Sequence, residues 1–333
     1  MRANPIAERA STADVVGTMK RAAPAVEEWR YAPRRTTPSV PSNLNAGLKA
    51  FSLLRDGRTD EVSTDAAFAA ESLVALVGRP AIQLRSGRLT NVPSSWKSRL
   101  SPHVPAIETV ARSVGRIEPA GFPAIPLIGT AFMVGPGILM TNRHVAEVIA
   151  SEADGVWTFI PSLEPRIDFR SEYGKSRPLE FTLVEVLEVS DRPEIDLALL
   201  RVGVAKGRRM PKPLRLAKTY KPRTKAEVYV VGHPAFDAQA PDRQQELQRM
   251  VFQNVFDVKR VAPGELLPVD GGMLTYDAST LGGNSGSCVV DLESGEVVGL
   301  HFGGTYLKAN YAVPLWKLRT SAMLRRHPLN FME

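Results

Sequence analysis

The chain has 333 residues, of which 44% are hydrophobic and 23% are charged, as in an ordinary globular protein with a substantial core. Its 42 Lys and Arg against 35 Asp and Glu give a net charge of +7. This mild excess, spread over a long chain, gives no argument for a specific nucleic-acid partner or for a membrane partner.

Cys288 is the single cysteine, so no disulfide can form within the chain and the fold must depend on its core. That usage fits a reducing compartment. Residues 1–20 contain no apolar run of signal-peptide length, and no stretch approaches the roughly 20 apolar residues that cross a bilayer. We therefore expect a cytoplasmic protein.

The first 110 residues predict an N-terminal extension that is partly helical and partly disordered. Residues 1–45 are rich in Ala, Pro, Arg, Ser and Thr, which favours a flexible arm, although a short helix from Thr12 to Ala23, ended by Pro24, is the alternative. Residues 63–77 predict a helix capped by Ser63 or Thr64. A hairpin with its turn at Ser86 and Gly87 follows, and then an irregular connection over 93–105.

Residues 111–333 predict a mainly β domain in two halves, about 114–205 and about 215–320. Short apolar runs separated by turn signals repeat through this region, as in a barrel or sandwich. The basic stretch Lys206 to Lys225 is predicted to be a solvated linker between the halves. Residues 314–326 predict an amphipathic closing helix.

The strongest chemical signal is the motif GGNSGS at residues 282–287. A nucleophilic serine needs a tight turn that projects its hydroxyl, and backbone N–H groups aimed at the developing oxyanion. Glycines on both sides of Ser285 permit such a turn. The N–H groups of Gly283 and Ser285 are then the natural oxyanion donors.

Two further motifs supply the groups that would activate this serine. His144, in TNRHVA, follows a strand-like run, and histidine suits a general base because its pKa lies near neutrality. Asp196 opens the apolar run IDLALL, where a carboxylate needs a partner such as a histidine N–H. Asp191 is a weaker competitor for that role.

The motifs TNRHVA, DLALL and GGNSGS resemble the three triad motifs of bacterial trypsin-like peptidases. The order His, Asp, Ser is that of the chymotrypsin-like family; subtilisin-like enzymes have Asp, His, Ser, and α/β-hydrolases have Ser, Asp, His. The resemblance covers about Val114 to Arg326. It implies two six-stranded antiparallel β-barrels with His144, Asp196 and Ser285 as the catalytic triad in the cleft between them.

The same resemblance indicates where the substrate side chain before the scissile bond would bind. In this family the pocket is lined by the residues before the nucleophile, here 277–281, and by the strand after it, here 299–304. Glutamyl endopeptidases place a threonine and a histidine there, and Thr280 and His301 match, with Gly303 beside them. Both groups can donate hydrogen bonds to a carboxylate, so the resemblance implies cleavage after Glu.

Other specificities stay open. His301 could have a purely structural role, with its hydrogen bonds made inside the protein. Small or apolar side chains are then alternative occupants of the pocket. Asp277 could attract a basic side chain, although the position assigned to the pocket floor is Ser279, two residues later.

The predicted function is a serine endopeptidase that acts on proteins or peptides without a cofactor, since no metal-ligand cluster or phosphate-binding glycine loop is present. The alternative is a latent or regulated interaction module on a protease fold, whose residues 1–110 recruit a regulatory protein. That region could equally be a pro-segment, with Glu108 as the hypothetical processing site. Cys288, on the strand after the nucleophile, is predicted to be a small buried hydrophobe.

Overall fold

The structure is a computed structural model that describes residues 12–31, 44–122, 124–125, 127–174, 177–269, 271–305 and 309–331. Helices precede a mainly β remainder, so the predicted fold class is confirmed. The flexible arm expected at the N-terminus falls partly on residues 1–11 and 32–43, which lie outside the described residues.

The N-terminal part begins with three helices, α1 (Thr12–Tyr31), α2 (Leu44–Arg55) and α3 (Thr64–Leu73). The expected end of the first helix at Pro24 is wrong, because α1 continues through that residue. Proline inside a helix costs about 3 kcal/mol. Burial of the flanking Ala22 and Val26 in one cluster with α2 and α3 offsets that cost.

Helix α3 begins where the sequence predicts, because the Ser63 hydroxyl accepts a hydrogen bond from the N–H of Ala66. It continues as a π-helical turn over Val74–Gly78. The predicted hairpin is confirmed as β1 (Ile82–Arg85) and β2 (Arg88–Thr90), whose turn residues Ser86 and Gly87 both have positive φ.

The irregular connection expected over residues 93–105 is wrong, because this stretch contains α4 (Ser94–Leu100) and the start of α5 (Val104–Arg112). Pro102 and Pro105 interrupt this stretch, although its apolar residues recur at helical spacing. Trp96, Leu100 and Ile107 are nevertheless fully buried in the main core, and this tertiary packing stabilises both short helices.

The first β half contains β3 (Val114–Pro119), β4 (Gly129–Gly135), β5 (Ile138–Thr141), α6 (Arg143–Ile149), β6 (Ala150–Ala153), β7 (Val156–Phe159), β8 (Pro165–Asp168), β9 (Glu180–Val189) and β10 (Ala198–Val202). Six of these strands form a closed barrel in the order β10-β5-β4-β3-β8-β9. The small hairpin β6-β7 and helix α6 are not part of the barrel.

The second β half contains β11 (Glu227–Gly232), α7 (Asp242–Val251), β12 (Arg260–Glu265), β13 (Leu274–Tyr276), β14 (Cys288–Asp291), β15 (Val297–Thr305) and β16 (Ala309–Pro314). Together with β1 and β2, its strands form an eight-stranded sheet in the order β13-β16-β15-β14-β11-β12-β1-β2. A bridge between Leu266 and Tyr276 links the ends of β12 and β13, which is compatible with a second six-stranded barrel.

The N-terminal hairpin extends this second sheet. Strand β1 pairs with β12, with Ile82 opposite Val261. The largest core cluster accordingly contains Trp96 and Ile107 from the N-terminal part together with Phe132 and Val290 from the two β halves. A division of the chain at residue 110 stays a prediction, and such a cut would remove two strands from the sheet.

Two other expectations are corrected. The basic stretch 206–225 is not a wholly solvated linker, because Leu214, Leu216 and Ala217 are buried, and Leu216 bridges Val297 and Phe331. The closing helix is two short helices, α8 (Leu315–Leu318) and α9 (Ala322–Arg325). The break falls before α9, whose first turn is capped by Ser321.

Among the described residues, no helix is both long enough and apolar enough to span a membrane.

Candidate active site

His144 and Asp196 meet because their two strands pair. His144 lies in the first turn of α6, just after β5, and Asp196 lies two residues before β10. Strands β5 and β10 are antiparallel, with Thr141 opposite Ala198. The Nδ1 of His144 lies 2.6 Å from Oδ2 of Asp196, and the backbone N–H of His144 donates to Oδ1 at 3.0 Å.

This two-point contact fixes the carboxylate and the imidazole together. The side chain of His144 is 47% exposed and that of Asp196 is 21% exposed, so the ring reaches solvent while the carboxylate is shielded. An acceptor at Nδ1 leaves Nε2 free to accept a proton. The competitor Asp191 lies in an exposed loop, and in the described part of the chain the Nδ1 of His144 pairs with Asp196.

Two neighbours hold the strand-end loop that carries Asp196. The Nδ2 of Asn142 donates to the backbone oxygen of Asp196 at 2.9 Å. The guanidinium of Arg143 donates to the backbone oxygen of Ser190 at 2.6 Å. Because both residues immediately precede His144, one short segment positions the imidazole and its carboxylate partner.

Ser285 lies in the tight turn between β13 and β14, and the glycines beside it are required sterically. Gly283 and Gly286 have φ of +81° and +87°, a region that side chains with a Cβ rarely adopt. A Cβ on Gly286 would also collide with the backbone oxygen of Thr130, and one on Gly283 with that of His233. The expected reason for glycine at these positions is therefore correct.

The turn with Ser285 and the helix with His144 converge at Gly129, the first residue of β4. An atom at its Cβ position would lie 2.9 Å from Cγ2 of Val145 and 3.1 Å from the backbone oxygen of Ser285. Since Val145 follows His144 in sequence, the fold brings the serine turn and the His–Asp pair to one place.

Thr130 anchors the serine turn and was missed by the sequence analysis. Its N–H donates to the backbone oxygen of Ser285 at 2.8 Å, and its hydroxyl donates to that of Gly283 at 2.8 Å. The same hydroxyl lies 3.2 Å from both the N–H and the Nδ1 of His233. A threonine at the second position of a strand carries no sequence signal for this role.

The N–H groups of the two candidate oxyanion donors are not used by the hydrogen bonds that hold the serine turn. The backbone oxygen of Gly282 accepts from the N–H of Ala235 at 2.7 Å, which fixes the orientation of the peptide before Gly283. Among the residues that the structure describes, no acceptor in the chain pairs with the N–H of Gly283 or of Ser285. Both groups are available to a ligand.

His301 lies on β15, buried, next to Tyr276 on β13. The hydroxyl of Tyr276 lies 2.6 Å from Nδ1 of His301. Burial, aided by the nearby His144, lowers the pKa of His301 to about 3, so this ring is neutral at neutral pH. Burial also raises the pKa of Tyr276 well above its usual value, so the phenol keeps its proton.

Thr280 and Gly303 lie at the same end of this sheet. Thr280 donates to Oδ1 of Asn310 at 2.6 Å, and Nδ2 of Asn310 donates to the backbone oxygen of Ala278 at 2.5 Å. Asn310 pairs with Tyr276 across strands β16 and β13, which joins the surroundings of Thr280 to those of His301. Beyond Gly303, the space that a Cβ would enter is open.

Asp277 is engaged by basic side chains of the protein itself. Its Oδ2 accepts from Nε of Arg21 at 3.1 Å and forms an ion pair with Arg79 at 3.3 Å, while Oδ1 accepts from the N–H of Glu265. Ser279 donates its hydroxyl hydrogen to the backbone oxygen of Arg79. Neither residue is free to attract a basic substrate side chain in this arrangement.

Cys288 is fully buried on β14, and burial raises the pKa of its thiol to about 12. It is therefore inert packing, as predicted. Across the described ranges, no group of three or more His, Cys, Asp or Glu residues could hold a metal ion.

A closed antiparallel barrel followed by a second β sheet, with a serine turn near the histidine-bearing end of the first barrel, is typical of the chymotrypsin-like class of proteins. The sequence profile of the trypsin-like peptidase domain matches residues 129–300. That stretch is more than half of the chain, so the protein belongs to the trypsin-like peptidase family. It is a serine endopeptidase, and its substrates are proteins or peptides.

Similar proteins include a probable serine protease of Lysobacter enzymogenes, 28% identical, with 76% of this chain and 74% of that protein covered. A glutamyl endopeptidase of Staphylococcus epidermidis is 24% identical over 66% of this chain and 71% of that protein. Among solved structures, Deg5 is 19% identical with a TM-score of 0.47, covering 69% of this chain and 97% of that one. Family membership does not favour the alternative of an interaction module.

Proposed function

We propose that His144, Asp196 and Ser285 are the catalytic triad of this peptidase. The two-point hydrogen bond between His144 and Asp196 is the observation that carries the proposal. A carboxylate at Nδ1 fixes the tautomer with a free Nε2 and stabilises the imidazolium that forms during the reaction. The serine turn, anchored at Thr130 beside α6, supplies the nucleophile.

The proposed reaction runs through an acyl-enzyme. Oγ of Ser285 attacks the peptide carbonyl as its proton passes to Nε2 of His144, and the N–H groups of Gly283 and Ser285 bind the oxyanion. His144 then gives that proton to the leaving amine, which breaks the peptide bond. Water, deprotonated by the same nitrogen, hydrolyses the ester and regenerates Ser285.

We further propose that the pocket prefers Glu before the scissile bond. Tyr276, which keeps its proton, donates to Nδ1 of His301, so the neutral ring carries its hydrogen on Nε2 and can donate it to a carboxylate. Thr280 donates to a substrate only by exchanging its bond to Asn310. The relative named glutamyl endopeptidase supports the same preference.

The test is the cleavage profile of the purified protein on a diverse peptide pool, with three variants alongside. Ser285→Ala should abolish cutting. Asp196→Asn should lower kcat by about 10³- to 10⁴-fold with little change in KM, because the tautomer and the imidazolium lose their support. Asp191→Asn, in the exposed loop, is the matched control and should retain wild-type activity.

Each part of the proposal can fail separately. Cuts that survive in Ser285→Ala would refute the nucleophile, and an unchanged Asp196→Asn enzyme would refute the orienting carboxylate. Cuts after residues other than Glu would leave the triad in place and refute the pocket assignment.

A regulatory protein that binds residues 1–110 and a role of this region as a pro-segment stay proposals. The hypothetical processing site is poorly placed, because Glu108 is buried in α5 and accepts hydrogen bonds from Arg88 and from the N–H of Leu89. N-terminal sequencing of active enzyme tests it, and a sequence that begins before Glu108 would contradict it.

A further inference from the structure

One wall of the proposed pocket is held from behind by the N-terminal extension. The wall is the segment Asp277–Leu281, which precedes the serine turn and carries Thr280. Its residues alternate in direction: the side chains of Asp277, Ser279 and Leu281 contact the N-terminal part, whereas Ala278 and Thr280 bond to Asn310. One face of the segment therefore belongs to the pocket and the other to the extension.

The contacts on the rear face are specific and mostly buried. The side chain of Asp277 is 6% exposed and that of Arg21 is 23% exposed. Arg79 contributes both its guanidinium, to Asp277, and its backbone oxygen, to Ser279. Leu281 packs in one cluster with Leu76 and Val77, which lie three and two residues before Arg79.

The charge of Asp277 matters for the substrate that the proposed pocket can bind. Asp277 lies three residues from Thr280, and an unpaired buried carboxylate there would repel an acidic substrate side chain. Arg21 and Arg79 pair with this carboxylate, so its charge is compensated within the cluster. The nearby Glu265 pairs in turn with Arg99.

We propose that Arg21 and Arg79 are positioning residues of the substrate pocket, which hold its wall and neutralise Asp277 from the N-terminal side. The inference rests on the proposed function of Thr280 and His301 as pocket residues. The N-terminal helix α1 is then a permanent part of the specificity apparatus of the working enzyme.

Arg21 is the residue to change, because Arg79 is more deeply buried and its loss endangers the fold. Arg21→Ala in the full chain should lower kcat/KM about tenfold for a peptide with Glu before the scissile bond, and clearly less for the matched peptide with Gln. Arg21→Lys, which keeps the charge, should restore most of the Glu preference. Arg58→Ala is the control, since Arg58 is exposed and pairs with Glu61 in the same helical region.

Covalent labelling of Ser285 by a small fluorophosphonate separates the pocket from the catalytic groups. The labelling rate should be the same in Arg21→Ala and in the wild type, because this probe does not fill the pocket. Equal Glu-to-Gln ratios in Arg21→Ala and wild type would overturn the proposal. A parallel loss of labelling and hydrolysis would also overturn it, since the residue would then support the whole site.

The result separates this inference from the function it rests on. A wild-type enzyme that cuts without preferring Glu refutes the Glu pocket. In that case the positioning role is tested by comparing Arg21→Ala with the wild type on a peptide that carries the residue preferred by the wild type. Fluorophosphonate labelling of both proteins is again the control. A wild type that neither cuts nor is labelled refutes both.

Discussion

At the scale of single residues, the chemistry of the site depends on which groups are buried with partners. His144 is open to solvent and held by one carboxylate, whereas His301 is buried against a phenol. The two histidines therefore suit different tasks. The exposed ring can exchange a proton with the substrate, and the buried one can only offer a fixed hydrogen bond.

His301→Leu should raise KM for a Glu peptide about tenfold, because a hydrogen bond to a charged group is lost. His301→Gln, which keeps a donor, is the matched control and should lose less. The pKa of His301 is lowered to about 3, so its donor is present throughout pH 5–9. A KM for the Glu peptide that rises as pH passes about 6.5, in the wild type but not in His301→Gln, would contradict the neutral ring.

At the scale of elements, strand ends and turns position the proposed nucleophile. The start of β4 fixes the serine turn through Thr130, and the paired ends of β5 and β10 fix the His–Asp contact. Each of these elements is short, and the positions at their ends decide the geometry of the site. The N–H groups of Gly283 and Ser285, the proposed oxyanion donors, share their peptides with the carbonyls of Gly282 and Asn284, which accept hydrogen bonds from the N–H groups of Ala235 and Ser287.

Thr130→Val should lower kcat by about ten- to a hundredfold with little change in KM. The methyl group cannot donate to the backbone oxygen of Gly283, so the segment between the two proposed oxyanion donors loses an anchor, and oxyanion stabilisation acts on the transition state. Thr130→Ser keeps the hydroxyl and should retain most of the activity. The measurement is steady-state kinetics on one peptide, and wild-type kcat in Thr130→Val would refute this role.

At the scale of the whole molecule, the N-terminal part and the two β halves are interlocked. Lys259, just before β12, is fully buried and donates to the backbone oxygens of Ala111 in α5 and Phe169 beyond β8. Its neighbour Arg260 donates to Ala81, before β1, and to Phe252. Two adjacent cations thus join three parts of the chain.

Burial lowers the pKa of Lys259 to about 8, below the value near 10.4 in an unfolded chain. Between these two values the unfolded state binds more protons, so this residue makes the folded state more stable as pH rises. The free energy of unfolding of the wild type relative to Lys259→Met should therefore increase by about 3 kcal/mol from pH 7.5 to 10.5. Urea unfolding of both proteins measures this, and a difference that does not change with pH would contradict it.

The sequence by itself determined the reaction class, the three candidate triad residues, the Ser63 cap, the hairpin turn and the burial of Cys288. Each of these depends on a motif of a few adjacent residues. The glycines of the serine turn lie in one short stretch, and the positive φ of Gly283 and Gly286 is a local reason for them. The cytoplasmic location, the pocket specificity and the role of residues 1–110 stay predictions.

Only the tertiary structure decided that α1 continues through Pro24, that residues 94–112 are helical, that Thr130 bonds to the serine turn and that Arg21 pairs with Asp277. These features depend on partners far away in sequence: Arg21 and Asp277 are 256 residues apart. Thr130 and Gly283 are 153 residues apart. The hydrophobic period and the local propensity of a segment depend only on residues that are close in sequence. Burial of the segment against a distant part of the chain contributes more to its stability than either, so it decides the structure.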